Sequence, residues 1–328
     1  MIVYEEIEPI RKTSKSYVAL AVVEGYSQPM ILKKLDCTNT ALYEQLTNIQ
    51  NEHIARIYEI EERNGSLLLV EEYVDGFPLN EYVQKMGLSN DEIIDLMLQL
   101  CDGLQTLHHA DPPIIHRDLK PGNILVSEQG ILKIIDFDAS RSYKPEHSHD
   151  TVIMGTAEYA SPEQYGFAQT DVRSDIYSFG AILYELLFQQ TLPRNSSAEA
   201  AIEQAPTKEF VRHTVKRQPN SLHELKNDRQ TSALLQIINR CTMFDPNERF
   251  SSVEELARAL QQDHMKQPSR RIRHVKETKH LLYYGNAASL YPRVKRDAYL
   301  MYALHNGFSL YEVNDYLKKN TLEPFQEE

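Results

Sequence analysis

One short run, His116-Arg117-Asp118-Leu119-Lys120-Pro121-Gly122-Asn123, sets a carboxylate, an ammonium and an amide close together along the chain. The residue types and their order suit phosphoryl transfer. Asp118 can accept the proton of an attacking hydroxyl, and Lys120 can neutralise charge on the moving phosphoryl group. Asn123 can bind a metal ion from the other side of the same loop. Asp136, just after an apolar run, is a second hard oxygen ligand suited to Mg2+.

These groups need elements to hold them. Segments 123–127 and 131–138 read as two short strands around a turn. Residues 2–74 are strand-rich: 17–24 and 30–36 are apolar, partly β-branched runs separated by a turn-like cluster, and 67–74 reads as a buried strand. Leu42, Leu46 and Ile49 recur near helical spacing within 40–49. From about residue 77 the pattern turns helical. Ser89 and Glu92 form a capping-box signature before a long apolar-periodic stretch, and 174–188 is apolar on nearly every side, which predicts a buried central helix. Segments 232–244 and 252–260 are two further amphipathic helices, and 297–319 reads as two helices with a turn at Asn306-Gly307.

Further runs follow in a fixed order. Asp136-Phe137-Asp138 comes after the loop, then Gly155-Thr156-Ala157-Glu158-Tyr159-Ala160-Ser161-Pro162-Glu163, then Ser174-Asp175-Ile176-Tyr177-Ser178-Phe179-Gly180, and last Asp245-Pro246-Asn247-Glu248-Arg249. Over about residues 10–263 this series resembles the eukaryotic-like Ser/Thr protein kinases in their bacterial form. The motifs are the catalytic loop HRDxKxxN, a DFG variant, the end of an activation segment with Ser161-Pro162-Glu163 for APE, the DxxSxG helix start and the late DPxxR. The resemblance implies an α+β, bilobal protein kinase fold with a small β-rich N-lobe (1–74) and a larger helical C-lobe (75–264). It also implies transfer of the ATP γ-phosphoryl group to protein Ser or Thr hydroxyls with Mg2+ or Mn2+, including autophosphorylation in a signalling role. Asp118, Lys120 and Asn123 are then catalytic, Asn123 and Asp136 bind the metal, and Thr156 lies near the catalytic aspartate and lysine. The Arg of DPxxR, Arg249, pairs with the Glu of APE, Glu163.

The nucleotide side departs from the pattern. Lys33, fifteen positions after Val18, fits the nucleotide-binding lysine, with Lys34 as the rival that strand alternation sends to the opposite face. Glu44 is the only acid between Asp36 and Glu52 and so the default helix partner of Lys33. By the resemblance Glu71 falls at the gatekeeper position, Glu72 and Val74 offer backbone groups to the adenine, and Val18 and Leu125 sandwich it. The phosphate loop has no glycine: Arg11-Lys12-Thr13-Ser14-Lys15-Ser16 stands where the family has GxGxxG, and the first glycine of the chain is Gly25. Backbone amides approach phosphates less closely without glycine, so weaker but not absent ATP binding is expected. Asp138 replaces the glycine of DFG, which is expected to restrict flipping of that segment. A pseudokinase, an ATP-binding scaffold with weak or no transfer, is the alternative. Among the hydroxyls of the activation segment, Ser148 and Thr151 are the candidates for phosphorylation, pairing with Arg117.

Composition bounds the rest. The 328 residues are 41% hydrophobic and 25% charged, ordinary for a globular protein, and the net charge of −12 argues against nucleic acid or an anionic membrane as the main partner. Cys37, Cys101 and Cys241 form no metal or redox spacing, and no apolar run approaches a membrane span; with no signal-peptide layout, a cytoplasmic protein is expected. Residues 1–264 are read as the kinase domain, 265–280 as a basic linker, and 281–328 as a small helical extension that can dock a protein partner.

Overall fold

The computed structural model describes residues 1–14, 16–36, 39–143, 156–165, 169–192 and 229–264. Lys15, Cys37, Gly155, the hydroxyl candidates Ser148 and Thr151, the segment read as a linker and the helices read over 297–319 lie outside them. Two compact units hold the described residues. One takes Met1–Asn48 and Arg56–Tyr73; the other takes Ile49–Ala55 and the described part of Val74–Ile272.

The first unit is an antiparallel sheet of five strands in the order β1-β2-β3-β5-β4, with β1 Tyr4–Lys12, β2 Ser16–Val23, β3 Met30–Leu35, β4 Ile57–Arg63 and β5 Ser66–Glu72. One face carries Ala21, Val23, Met30, Leu32, Leu68 and Val70, closed at one end by Ile2. Alternation then puts Val18, Leu20, Ile31, Lys33, Leu69 and Glu71 on the other face. β4 and β5 join through Asn64-Gly65, both in the left-handed region (φ 53° and 75°) that a two-residue hairpin of this twist requires. Helix α1, Thr40–Thr47, buries Leu42, Tyr43 and Leu46 on one side.

The second unit is mainly helical. It holds helices α2 (Leu79–Met86), α3 (Asn90–His108), α4 (Val172–Phe188), α5 (Arg229–Cys241) and α6 (Val253–His264), with short strand β6 Gly76–Pro78 before α2 and β7 Ile114–Ile115, β8 Ile124–Ser127, β9 Leu132–Ile134 and β10 Arg141–Ser142 between α3 and α4. Ser89 caps α3 with the expected reciprocal box: the Ser89 N–H reaches Glu92 Oε2 at 2.8 Å, and the Ser89 hydroxyl accepts from the Glu92 N–H. Helix α4 is buried along most of its length, and Gly180 is its contact point with α5. A Cβ there would lie 2.4 Å from the Cβ of Cys241, so only glycine lets the two backbones approach this closely. Segment Ile49–Ala55 is pinned to α3 and β9. Asn51 Nδ2 donates to Asp102 (2.7 Å) and to Thr106 (2.8 Å), and the Ala55 N–H donates to the Ile134 carbonyl (2.9 Å).

Candidate active site

The loop from His116 to Asn123 hangs on one buried carboxylate. Asp175, in the first turn of α4, is fully buried and accepts the backbone N–H groups of His116 and Arg117, each at 2.9 Å, and His108 Nε2 at 2.8 Å. Burial opposes its ionisation, but the hydrogen bond and charge of His108, the nearby His116 and the Arg117 amide outweigh it and hold the carboxyl below its usual range. The His116 ring, also fully buried, donates through Nε2 to the Ile135 carbonyl (3.2 Å) and lies 5.3 Å from the Phe137 ring. His116 thereby ties the loop to the segment that carries Asp136. Arg117 takes a left-handed φ of 66°, which turns the chain so that Asp118 leaves in a new direction.

Asp118 is the centre of the polar network. Its Oδ1 accepts from the Thr156 N–H (2.9 Å) and the Thr156 hydroxyl (2.8 Å); its Oδ2 accepts from Lys120 Nζ (2.8 Å) and Asn123 Nδ2 (3.1 Å). Lys120 Nζ also donates to Thr156 Oγ1 at 2.8 Å, which closes a ring of Asp118, Lys120 and Thr156. A carboxylate offers about four acceptor positions, so a substrate hydroxyl reaches Asp118 by displacing one of these donors.

Asn123 sits in a single 3-10 turn, Pro121–Asn123, at the start of β8. Its Nδ2 goes to the Asp118 carbonyl (2.9 Å) and carboxylate, which turns Oδ1 away as the oxygen for another ligand. The Ile135 N–H donates to the Asn123 carbonyl at 2.9 Å, so the residue before Asp136 is fastened to Asn123 itself. Asp136 adopts φ 64° and is partly buried. Asn123 and Asp136 offer an amide oxygen and a carboxylate, donors of the hard type that a divalent ion takes beside waters and phosphate oxygens. Among the described residues no group of three or more His, Cys, Asp or Glu could hold a metal ion. The expected consequence of Asp138 takes a different form. Asp138 is exposed and is not in the left-handed region; the unusual backbone angles belong to Asp136 and Arg117, so aspartate causes no strain at 138.

On the sheet unit, Lys33 is 2% exposed while Lys34 is exposed. Lys33 stands between Val18 on β2 and Leu69 on β5. Glu44 does not meet its expected role. It lies opposite the buried face of α1, exposed, and among the described residues its carboxylate forms no ion pair; the helix turns Leu42, Tyr43 and Leu46 inward instead. Glu72 has its N–H on the Arg56 carbonyl (2.8 Å), Val74 is buried, and Leu125 lies on β8 between Pro78 and Lys133, partly exposed. The tip of the β1–β2 hairpin closes on itself. The Thr13 N–H donates to the Ser16 carbonyl (2.8 Å) and the Ser16 N–H to the Thr13 hydroxyl (2.9 Å), so these two amides are engaged within the turn.

Sequence reading missed part of the support. Gln164 is buried and braces the catalytic loop: Nε2 donates to the Arg117 carbonyl at 2.6 Å, while Oε1 accepts the Ser161 N–H (3.0 Å) and hydroxyl (3.1 Å). Its signal was its place directly after Ser161-Pro162-Glu163. Ser140 is buried and donates to the His116 carbonyl at 3.1 Å, which makes it a structural hydroxyl. By contrast, the pair of Arg249 and Glu163 that the resemblance implied is present and bidentate, at 2.8 and 2.9 Å. Burial opposes the charge on Glu163, but Arg249 and the Ser174 hydroxyl more than offset it and lower its pKa.

Comparison with known proteins places the chain. The protein kinase domain family matches residues 8–265, and the chain belongs to that family. It is 31% identical over 213 residues to a probable serine/threonine-protein kinase PknB of Lactococcus lactis, covering 64% of this chain and 32% of that protein. It is 32% identical over 221 residues to the serine/threonine-protein kinase PknA of Corynebacterium glutamicum, covering 65% of this chain and 44% of that one. The drp72 serine/threonine-protein kinase of Corynebacterium efficiens is 31% identical over 221 residues, covering 65% of this chain and 39% of that protein. The chain thus spans less than half the length of these curated relatives. Among the described residues no helix is long and apolar enough to cross a membrane.

Proposed function

We propose that this chain is a Ser/Thr protein kinase, with residues 1–264 as its catalytic domain. The observation that supports this most is the ring in which Asp118 is held by Lys120, Thr156 and Asn123. Asp118 accepts the proton of a Ser or Thr hydroxyl as its oxygen bonds to the γ-phosphorus. The bond from that phosphorus to the β–γ bridging oxygen breaks, and ADP leaves with the electron pair. Lys120 lies where it can balance charge on the transferring group, and Lys33 does the same for the phosphates that stay behind. Val18, Leu125 and the backbone of Glu72 and Val74 serve the base. Asn123 and Asp136 would hold the divalent ion, whose charge would screen the phosphate oxygens. Their oxygen-only chemistry favours Mg2+, and Mn2+ is the tolerated alternative.

ATP as donor sets the work in the cytoplasm, where buried free thiols such as Cys101 and Cys241 stay reduced. The self-closed turn at Thr13 and Ser16 gives the phosphates fewer amides, so ATP binds more weakly than a glycine loop would allow. The extension 281–328 is assigned to a protein partner. Incubation with labelled ATP, Mg2+ and a generic basic protein tests the reading. Label in phosphoserine or phosphothreonine, lost in Asp118→Asn, is expected. Equal absence of label in both proteins overturns transfer in favour of a scaffold.

A further inference from the structure

A lysine as buried as Lys33 needs a counter-charge, and the helix carboxylate Glu44 does not supply it. The strand register shows what can. Ile31 lies opposite Glu71, and Lys33 lies opposite Leu69. Residues 31 and 33 of β3 share a face with 69 and 71 of β5, so Glu71 is the diagonal neighbour of Lys33, a spacing that long side chains bridge. Glu71 is partly exposed as a residue, but its Oε1 atom is shielded from solvent.

Four other acids of this sheet unit have partners of their own. Glu72 is on the opposite face and accepts the Arg56 N–H at 3.1 Å. Asp36 accepts the Ser66 hydroxyl at 2.9 Å, Glu59 the Tyr26 hydroxyl at 2.8 Å, and Glu62 the Thr40 hydroxyl at 2.7 Å. The Lys33 row itself continues through Val18 to Arg11 on one side and through Leu69 to Ile60 on the other. It therefore brings a second cation and no carboxylate.

We infer that Glu71 is the positioning residue of Lys33: a strand carboxylate holds the nucleotide-binding ammonium, in place of one from helix α1. The inference rests on the reading of Lys33 as a phosphate-binding group. Its chemistry is local, since the pair lies within one sheet and does not require helix α1 to shift. Glu71 then sets both the direction and the charge of Lys33 before any nucleotide arrives.

The test reads Lys33 directly. In the full chain labelled with 13C-lysine, the Lys33 signal is assigned by its loss in Lys33→Arg and titrated by NMR without nucleotide. Glu71→Gln is expected to lower the Lys33 pKa by about 1 unit or more, because a buried ammonium loses its neighbouring charge. Glu71→Asp is expected to restore most of the shift. The alkaline limb of kcat/KM for ATP should move down by the same amount in Glu71→Gln. An unchanged Lys33 pKa in a folded Glu71→Gln protein overturns the assignment, and so does a fall produced by Glu44→Gln instead. The NMR arm does not depend on turnover, so absence of phosphate transfer with the shift intact would count against the kinase reading and leave the pair standing.

Discussion

Replacing Arg249 by Met should cost more than any surface change in the helical unit, and the structure says why. The guanidinium is 2% exposed and each of its N–H groups has an acceptor. Nε goes to the Met243 carbonyl (2.8 Å), Nη1 to Glu163 Oε1 (2.8 Å) and the Arg173 carbonyl (3.0 Å), and Nη2 to Glu163 Oε2 (2.9 Å) and the Phe244 carbonyl (3.0 Å). Methionine fills similar space but leaves a buried carboxylate with the Ser174 hydroxyl, at 2.7 Å, and its own backbone N–H in place of a full counter-charge. Breaking one side of a buried pair costs about 3–5 kcal/mol, and three carbonyls also lose a donor. About 4 kcal/mol is therefore expected, or a fall in Tm of roughly 10 °C.

The effect must also depend on pH. In the wild type the folded pKa of Glu163 is depressed, so its contribution is present at neutral pH and lost as pH falls through that folded value. In Arg249→Met burial, the largest influence on this carboxyl, is opposed by only the Ser174 hydroxyl and the Glu163 N–H, and it raises the folded pKa above the unfolded one. Glu163 then takes up its proton more readily in the folded variant, and the cost of the substitution shrinks on acidification. Urea unfolding of both proteins at pH 7 and at about pH 4 measures this. The double change Arg249→Met with Glu163→Met should lose less than Arg249→Met alone. A loss under about 1 kcal/mol at pH 7, or one independent of pH, would refute the reasoning.

Two further outcomes follow from single contacts. Thr156→Val removes the hydroxyl that joins Lys120 to Asp118 and should lower kcat roughly tenfold with ATP affinity held, while Thr156→Ser keeps most of the rate; steady-state kinetics and calorimetry separate the two effects. Gly180→Ala should destabilise the protein by about 1–3 kcal/mol in thermal unfolding, although alanine favours a helix, because the new methyl meets Cys241 and Thr242 at 2.4 and 2.9 Å.

What could be read from the chain divides by range. The capping box at Ser89, strands β3 and β5 and the buried helix α4 were legible because their signals are local in sequence. β1 was not singled out: it is an edge strand, largely exposed, with Pro9 beside a register shift, so it lacks the apolar alternation that marks a buried strand. Asn64-Gly65 was a hairpin signal passed over. Asp175 carried a motif, but nothing in the sequence said that it anchors His116 and Arg117 from more than fifty residues away. The choice of Glu44 failed for the same reason. One-dimensional order offered it as the available acid, whereas sheet register brings Glu71 to the Lys33 face across thirty-eight residues.

The central claim is that the Asp118 carboxylate takes the proton in phosphoryl transfer. It is tested most directly by single-turnover transfer from Mg-ATP to a serine-containing basic protein, measured for the wild type and for Asp118→Asn with ATP affinity determined alongside by calorimetry. Asp118→Asn is predicted to slow the chemical step by about 100-fold or more while nucleotide affinity stays within about twofold. Transfer at an undiminished rate in Asp118→Asn would contradict the account.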